Sequence, residues 1–257
     1  MKLSEIYSLI DGLAPFSLSR EYCEKYGAYD NSGILLNCGQ EIEGILFSLD
    51  CSLAAVERAK RIGANLIVTH HPAIYAPLKA LDADDPVTAC AMAGISIISA
   101  HLNLDCAKGG IDDCMANALG AWEKPVKMHA LSLGGYGSVF AIEATPLARF
   151  IDDVRAAFQT KNVMVFGERE EVSKVASFCG AGLDEESLAF AFENDADTVV
   201  SSDPKHHLIA QAVEQGLNVL ILPHYAAENY GFYEFYQKIE EKCSLVPMEY
   251  FEDGRLM

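Results

Sequence analysis

Gly94-Ile-Ser-Ile-Ile-Ser-Ala-His101-Leu-Asn-Leu-Asp105 decides the fold. A glycine opens an apolar run suited to a buried strand, a histidine closes it, and an acid follows four residues later. The pattern returns in Gly216-Leu-Asn-Val-Leu-Ile-Leu-Pro-His224-Tyr-Ala-Ala-Glu228. Neutral imidazole with carboxylate is a ligand set for a catalytic divalent metal. Its recurrence predicts two structural halves meeting at one shared metal centre.

The repeat extends upstream. Ala64-Asn-Leu-Ile-Val-Thr-His70-His71-Pro72 reads as a strand running into His-His-Pro, and Ala196-Asp-Thr-Val-Val-Ser-Ser-Asp203-Pro204-Lys205-His206-His207 as a strand running into Asp-Pro-Lys-His-His. Earlier still, Ile45–Asp50 matches Val175–Cys179 in kind. Each half reads strand, helix, strand ending in polar residues, helix, strand ending in histidine. The expected class is therefore α/β, with halves at 1–126 and 127–257 and a terminal helix over Ala226–Cys243 that packs back on the first half. Lys124–His129 reads as the junction, Gly134–Gly137 as a glycine-rich turn, and Gly180-Ala-Gly182 as a tight strand-to-helix turn.

Composition limits the function. The 257 residues are half apolar, enough for a sizeable core. No apolar run approaches the roughly 20 residues of a membrane span. Met1-Lys-Leu-Ser-Glu-Ile-Tyr7 lacks the basic region and apolar core of a signal peptide. The net charge of −18, from 37 acids against 19 bases, argues against a duplex nucleic-acid surface. A small anionic substrate stays compatible, because a bound metal reverses the local sign. The eight cysteines contain no Cys-x-x-Cys pair and read as reduced residues of a cytoplasmic protein.

Of the seven histidines, His70, His71, His101, His206, His207 and His224 fall at the strand ends; His129 does not and reads as incidental. Carboxylates can bridge two ions, and imidazoles complete their coordination. Such a pair, about 3.5–4 Å apart, activates water and clamps an oxyanion. Loops beyond strand ends leave coordination positions open.

These residues carry a family resemblance. The whole chain resembles the NIF3-like proteins, also labelled GTP cyclohydrolase I type 2 homologs. The matching segments are Thr69-His-His-Pro72, Ser99-Ala-His-Leu-Asn-Leu-Asp105 with Gly109-Gly110 and Asp113, Ser202-Asp-Pro-Lys-His-His207, and Pro223-His-Tyr-Ala-Ala-Glu228. The resemblance implies a NIF3-like fold with a dinuclear metal site between its halves. It implies two divalent ions per chain (zinc, manganese or iron), with His71 and Asp105 on one, His70 and His224 on the other, and Glu228 bridging. His101 would lie at or beside the metals. Asp203, His206 and His207 would act as orienting, acid–base or substrate-contacting groups. The resemblance also implies a homohexamer. Ser202, Pro204 and Ala227 depart from the family pattern, at positions that bear on substrate contacts more than on metal binding.

The leading functional expectation is metal-dependent hydrolysis of a small molecule, with a nucleotide such as GTP as the substrate the family label suggests. His206 or His207 would move the proton, since imidazole titrates near working pH. Two alternatives use the same residues: a metal-trafficking or cofactor-assembly protein, and a regulatory interaction platform with structural metals.

Overall fold

The computed structural model describes residues 1–39 and 41–256. The chain divides into two compact units, one of Met1–Ala107 with Phe232–Leu256 and one of Lys108–Gly231. Each is a mixed α/β unit around its own sheet.

The first unit opens with helices α1 (Leu3–Leu13) and α2 (Phe16–Tyr26). There follow β1 (Gly33–Leu36), β2 (Ile45–Ser48), α3 (Leu53–Ile62), β3 (Leu66–Thr69), α4 (Pro86–Ala93), β4 (Ser96–Ser99) and the short α5 (Leu102–Cys106). Local chemistry sets the helix ends. Ser52 caps α3 through Ala55 N–H, and Asp85 accepts from Val87 and Thr88 N–H at the start of α4, where Pro86 has no N–H to satisfy. Gly63 and Gly94 end the same helices in the left-handed region, at φ 73° and 70°.

Strands β2, β3 and β4 run parallel, with antiparallel β1 beyond β4. They are buried throughout, as parallel strands covered on both faces must be. Ser48 pairs with Thr69 and Thr69 with Ser99. The three strands therefore end level, which sets Asp50, His71 and His101 two residues beyond one common edge. In open parallel sheets that carboxyl edge is where ligands bind.

The second unit holds α6 (Ile111–Ala118), β5 (Val126–Leu131), β6 (Gly134–Pro146), α7 (Leu147–Ala157), β7 (Met164–Phe166), β8 (Glu171–Ser177), α8 (Glu185–Glu193), β9 (Thr198–Ser201), α9 (His206–Glu214) and β10 (Asn218–Ile221). Its sheet order is β5-β6-β8-β9-β10-β7, with β8, β9 and β10 parallel. Its β8-α8-β9-α9-β10 series repeats the β2-α3-β3-α4-β4 series of the first unit, including an antiparallel strand beyond the last.

One local expectation differs from the structure. Most of Lys124–His129 lies in strand β5, and Gly134–Gly137 is the start of β6 rather than a turn. Both belong to a hairpin tied to α6. Asp112 accepts hydrogen bonds from Gly137 N–H (2.9 Å), the Ser138 hydroxyl (2.6 Å) and the Lys127 ammonium. The second unit starts at Lys108, ahead of α6.

Helix α10 (His224–Lys242) begins in the second unit, and its residues from Phe232 onward belong to the first. There Phe232, Phe235 and Tyr236 pack their rings 6.1, 6.4 and 5.2 Å from that of Phe47. Strand β11 (Met248–Phe251) then joins β2 in parallel and completes the first sheet. Among the described residues no helix is long and apolar enough to cross a membrane. The eight cysteines form no disulfide.

Candidate metal centre

Three imidazoles converge beyond the level strand ends of the first unit. The ring centroids of His70 lie 4.9 Å from those of His71 and 5.1 Å from those of His101. Asp105 sits one turn after His101, on α5, and its carboxylate oxygen is 3.5 Å from His70 Nε2. Ligand atoms of His70, His101 and Asp105 all fall within 4.8 Å of one another, and one on His71 comes within 4.8 Å of one on His70. His70 and Asp105 are buried.

The other ring nitrogens explain how the imidazoles are held. His70 Nδ1 donates to Ala100 O (2.8 Å), His71 Nδ1 to Asp50 Oδ1 (2.7 Å), and His101 Nδ1 to Asp30 Oδ1 (2.8 Å). An oxygen acceptor at Nδ1 fixes the proton there and leaves the Nε2 lone pair as the ligand atom. This histidine–oxygen arrangement is the customary support of a metal-ligating imidazole. The donor set, imidazole nitrogen and carboxylate oxygen without thiolate, suits a borderline or hard divalent ion. The residues therefore fit the metal that the sequence reading expects.

Electrostatics follow from the same contacts. Burial by itself would raise the Asp30 carboxyl, but the His101 ring and the Ser19 and Ser32 hydroxyls (each 2.6 Å) hold it down at about 2. Burial would lower His101; the bond to Asp30 and the charge of Asp105 outweigh it and raise the imidazole above its ordinary value.

The second unit has its own donor pair. His224 opens α10, and its Nε2 lies 2.9 Å from the Glu228 carboxylate one turn later. Its Nδ1 donates to Asp203 Oδ2 at 2.6 Å, so it too presents Nε2. Glu228 is buried against the β8–α8 turn. A Cβ on Gly180 would stand 2.4 Å from Glu228 Oε1, and φ there is +59°, so this position requires glycine on two counts. Cys179 offers a sulfur within 4.8 Å of a Glu228 oxygen.

Asp203 touches the site as the partner of His224. His206 and His207 lie in the exposed first turn of α9, where His207 Nε2 is 3.3 Å from Glu185. His129 stacks on Tyr136 with centroids 6.5 Å apart and lies 3.3 Å from Glu186.

Sequence reasoning missed three contributors. Asp50 stood in view at the end of the β2 run, and its place beside His71 follows from strand register. Cys179 likewise ends the β8 run. Asp30 lies in the loop before β1 with no periodic signal; only the folded chain brings it to His101.

The family model described as Duf34/NIF3 (NGG1p interacting factor 3) matches residues 1–252. A GTP cyclohydrolase 1 type 2 homolog of Clostridium perfringens is 29% identical over 253 residues, 94% of this chain and 92% of the relative. One of Methanocaldococcus jannaschii is 30% identical over 260 residues, 95% and 97% of the two chains. Among solved structures, reduced HcgD from Methanocaldococcus jannaschii superposes with a TM-score of 0.84 at 28% identity, covering 98% of each chain. A Bacillus cereus protein related to NIF3 gives a TM-score of 0.82 at 20% identity, covering 97% of this chain and 96% of the other. That second likeness speaks to the fold.

Proposed function

The chain belongs to the Duf34/NIF3 family, and on that premise we propose that it is a divalent-metal-dependent hydrolase of a small molecule. The observation that carries the reading is the set of oriented imidazoles: His70, His71 and His101 each have Nδ1 committed to an oxygen, beside the buried carboxylate of Asp105. His224, with its Nδ1 on Asp203 and Nε2 toward Glu228, supports the same reading from the second unit.

The proposal keeps two divalent ions per chain, zinc, manganese or iron. The donors are His70, His71, His101 and Asp105 in the first unit, and His224 and Glu228 in the second. A divalent ion held by such donors supplies Lewis-acid polarisation of a substrate oxygen and a lowered pKa for water. The protein's part is to hold the rings. Asp30, Asp50 and Asp203 each fix one imidazole in the tautomer that ligation needs. Their carboxylates would also offset part of the positive charge of a bound ion. His206 and His207, solvent-facing on α9, are the proposed proton carriers.

Relatives named GTP cyclohydrolase 1 type 2 homologs direct the substrate search to purine nucleotides. A cytoplasmic homohexamer belongs to the same proposal and is tested by light scattering after size exclusion. The deciding experiment is elemental mass spectrometry on protein purified without chelator or nickel resin, followed by assay of GTP opening and of ester hydrolysis. Two equivalents of one divalent ion and metal-dependent turnover are expected. Protein that neither carries nor takes up zinc, manganese or iron would overturn the reading.

A further inference from the structure

The second unit contains a cavity of about 620 Å3 whose wall includes Asp203 and Pro223, the partner and the neighbour of His224. Its size falls in the ordinary range for small-molecule sites, roughly 300–1,000 Å3. Most of the lining is apolar, with Met164 and Ile209 among it; Lys161, Asn162 and Asp203 are the polar exceptions.

Each polar group has unspent capacity. Lys161 is exposed and enters no ion pair among the described residues, in a chain where acids outnumber bases 37 to 19. An uncompensated cation at a cavity rim recruits an anion. Asp203 gives Oδ2 to His224, which leaves Oδ1 as an acceptor on the wall. Its backbone is also unusual: φ is +47° at a residue that precedes Pro204. Residues before proline are normally extended, and a left-handed non-glycine is uncommon. Such outliers gather at functional sites, where surrounding structure over-determines them. Asn162 adds an amide, its backbone N–H already taken by Thr160 Oγ1 at 3.2 Å.

We propose that this cavity binds the part of the substrate remote from the reacting bond, and that this part is a heteroaromatic anion bearing a ring N–H. The anionic group pairs with Lys161, the N–H donates to Asp203 Oδ1, and the ring face lies on the aliphatic lining. Both Asp203 and Lys161 are open to solvent, so a ligand lacking the N–H or the anion leaves one of them to water and forgoes that contact, and the apolar lining favours a ring over an open chain. The inference rests on the hydrolase reading for its connection to turnover, but not for binding itself. The anion could be carboxylate or phosphate, and the probes separate the two.

Saturation-transfer NMR and calorimetry would compare indole-2-carboxylate and 3-indoxyl phosphate with neutral indole, which lacks the anion, and 2-naphthoate, which lacks the N–H. Both indole anions should bind at least about tenfold more tightly than either control, the scale of one charge-assisted hydrogen bond. The stronger of the two identifies the anion. Lys161→Ala should bring the anions down to the level of indole without changing metal content. Equal binding of indole and its anions, no effect of Lys161→Ala, or no binding of any probe would overturn the proposal. Elemental analysis of the same samples keeps the two readings apart. Metal-free protein that binds the probes defeats the hydrolase reading alone; metal-loaded protein that ignores them defeats the cavity alone.

Discussion

In the first unit His70 is fully buried and Asp105 is 4% exposed, and the Asp30 side chain that orients His101 is wholly covered. In the second, the His224 side chain is 30% exposed, and that of its partner Asp203 59%. Both units place an imidazole and a carboxylate one helical turn apart beyond a parallel strand, and both bury the carboxylate; they differ in the aspartate behind the imidazole, covered Asp30 for His101 and open Asp203 for His224. Enclosure pre-organises ligands and strengthens every electrostatic contact. Openness admits substrate and solvent protons. The two candidate donor pairs thus differ in how their imidazole is held, from a sheltered aspartate in the first unit and from the open pocket wall in the second.

The largest expected effect tests whether the buried carboxylate of each unit is a metal donor. Asp105→Asn keeps shape but removes the buried anionic donor; Glu228→Gln does the same in the second unit. Asp105→Asn should weaken metal affinity by more than about 100-fold, beyond the 10–100-fold typical of an orienting partner. Competition with a fluorescent chelator measures both variants. Glu228→Gln, at an equally buried carboxylate, should cost as much; unchanged affinity there would remove the second unit's pair from metal binding.

Orienting groups come next. Asp50→Asn and Asp203→Asn each leave the imidazole in place but weaken the hold on its proton at Nδ1. Each should cost about 10–100-fold in metal affinity. The histidine tautomer, read from imidazole 15N shifts, should become mixed in each variant. Unchanged shifts would remove these aspartates from the orienting role.

The third test uses pH. Asp30 is depressed in the folded chain from 3.8 to about 2, so its contribution is present above pH 3.8 and is lost as pH falls through about 2. Its size is about 2 kcal/mol. His101 is raised above 6.5, so its contribution is present below 6.5 and is lost as pH rises through the folded value. Chelator-treated protein should therefore resist urea best between about pH 4 and 6.5, where Asp30 is ionised and His101 protonated. Metal-loaded protein should show the opposite slope on the alkaline side, because ligation requires neutral imidazole. Asp30→Asn should flatten the acid limb. Parallel profiles with and without metal would exclude His101 as a ligand.

How much of this was legible in the sequence depends on distance along the chain. Strands ending in histidine could be read from runs such as Leu66–Thr69, and helix ends from Pro86 and Gly94, because each is settled by neighbours in sequence. The pairing of Asp50 with His71 needed only parallel register. Strand β5 was not legible: Lys127 is fixed by Asp112 and Asp113, and glycines that looked like a turn serve close packing. A Cβ on Gly135 would stand 2.6 Å from His129 O, and one on Gly137 3.1 Å from Phe178. Asp30 was hidden for the same reason, since its 71-residue separation from His101 leaves no local trace.

The smallest effect on the folded, metal-loaded protein is expected from His207→Ala. The side chains of His207 and Glu185 are 61% and 65% exposed, at 3.3 Å, and exposed pairs of this kind contribute little. Stability should stay within about 0.5 kcal/mol of the parent, and elemental analysis should find the metal unchanged. Any loss should then appear in turnover alone, and rescue by added imidazole would assign it to proton transfer. A fall in metal content would instead make His207 part of the binding apparatus. Metal binding in the second unit would then extend from the buried Glu228 carboxylate to the exposed first turn of α9.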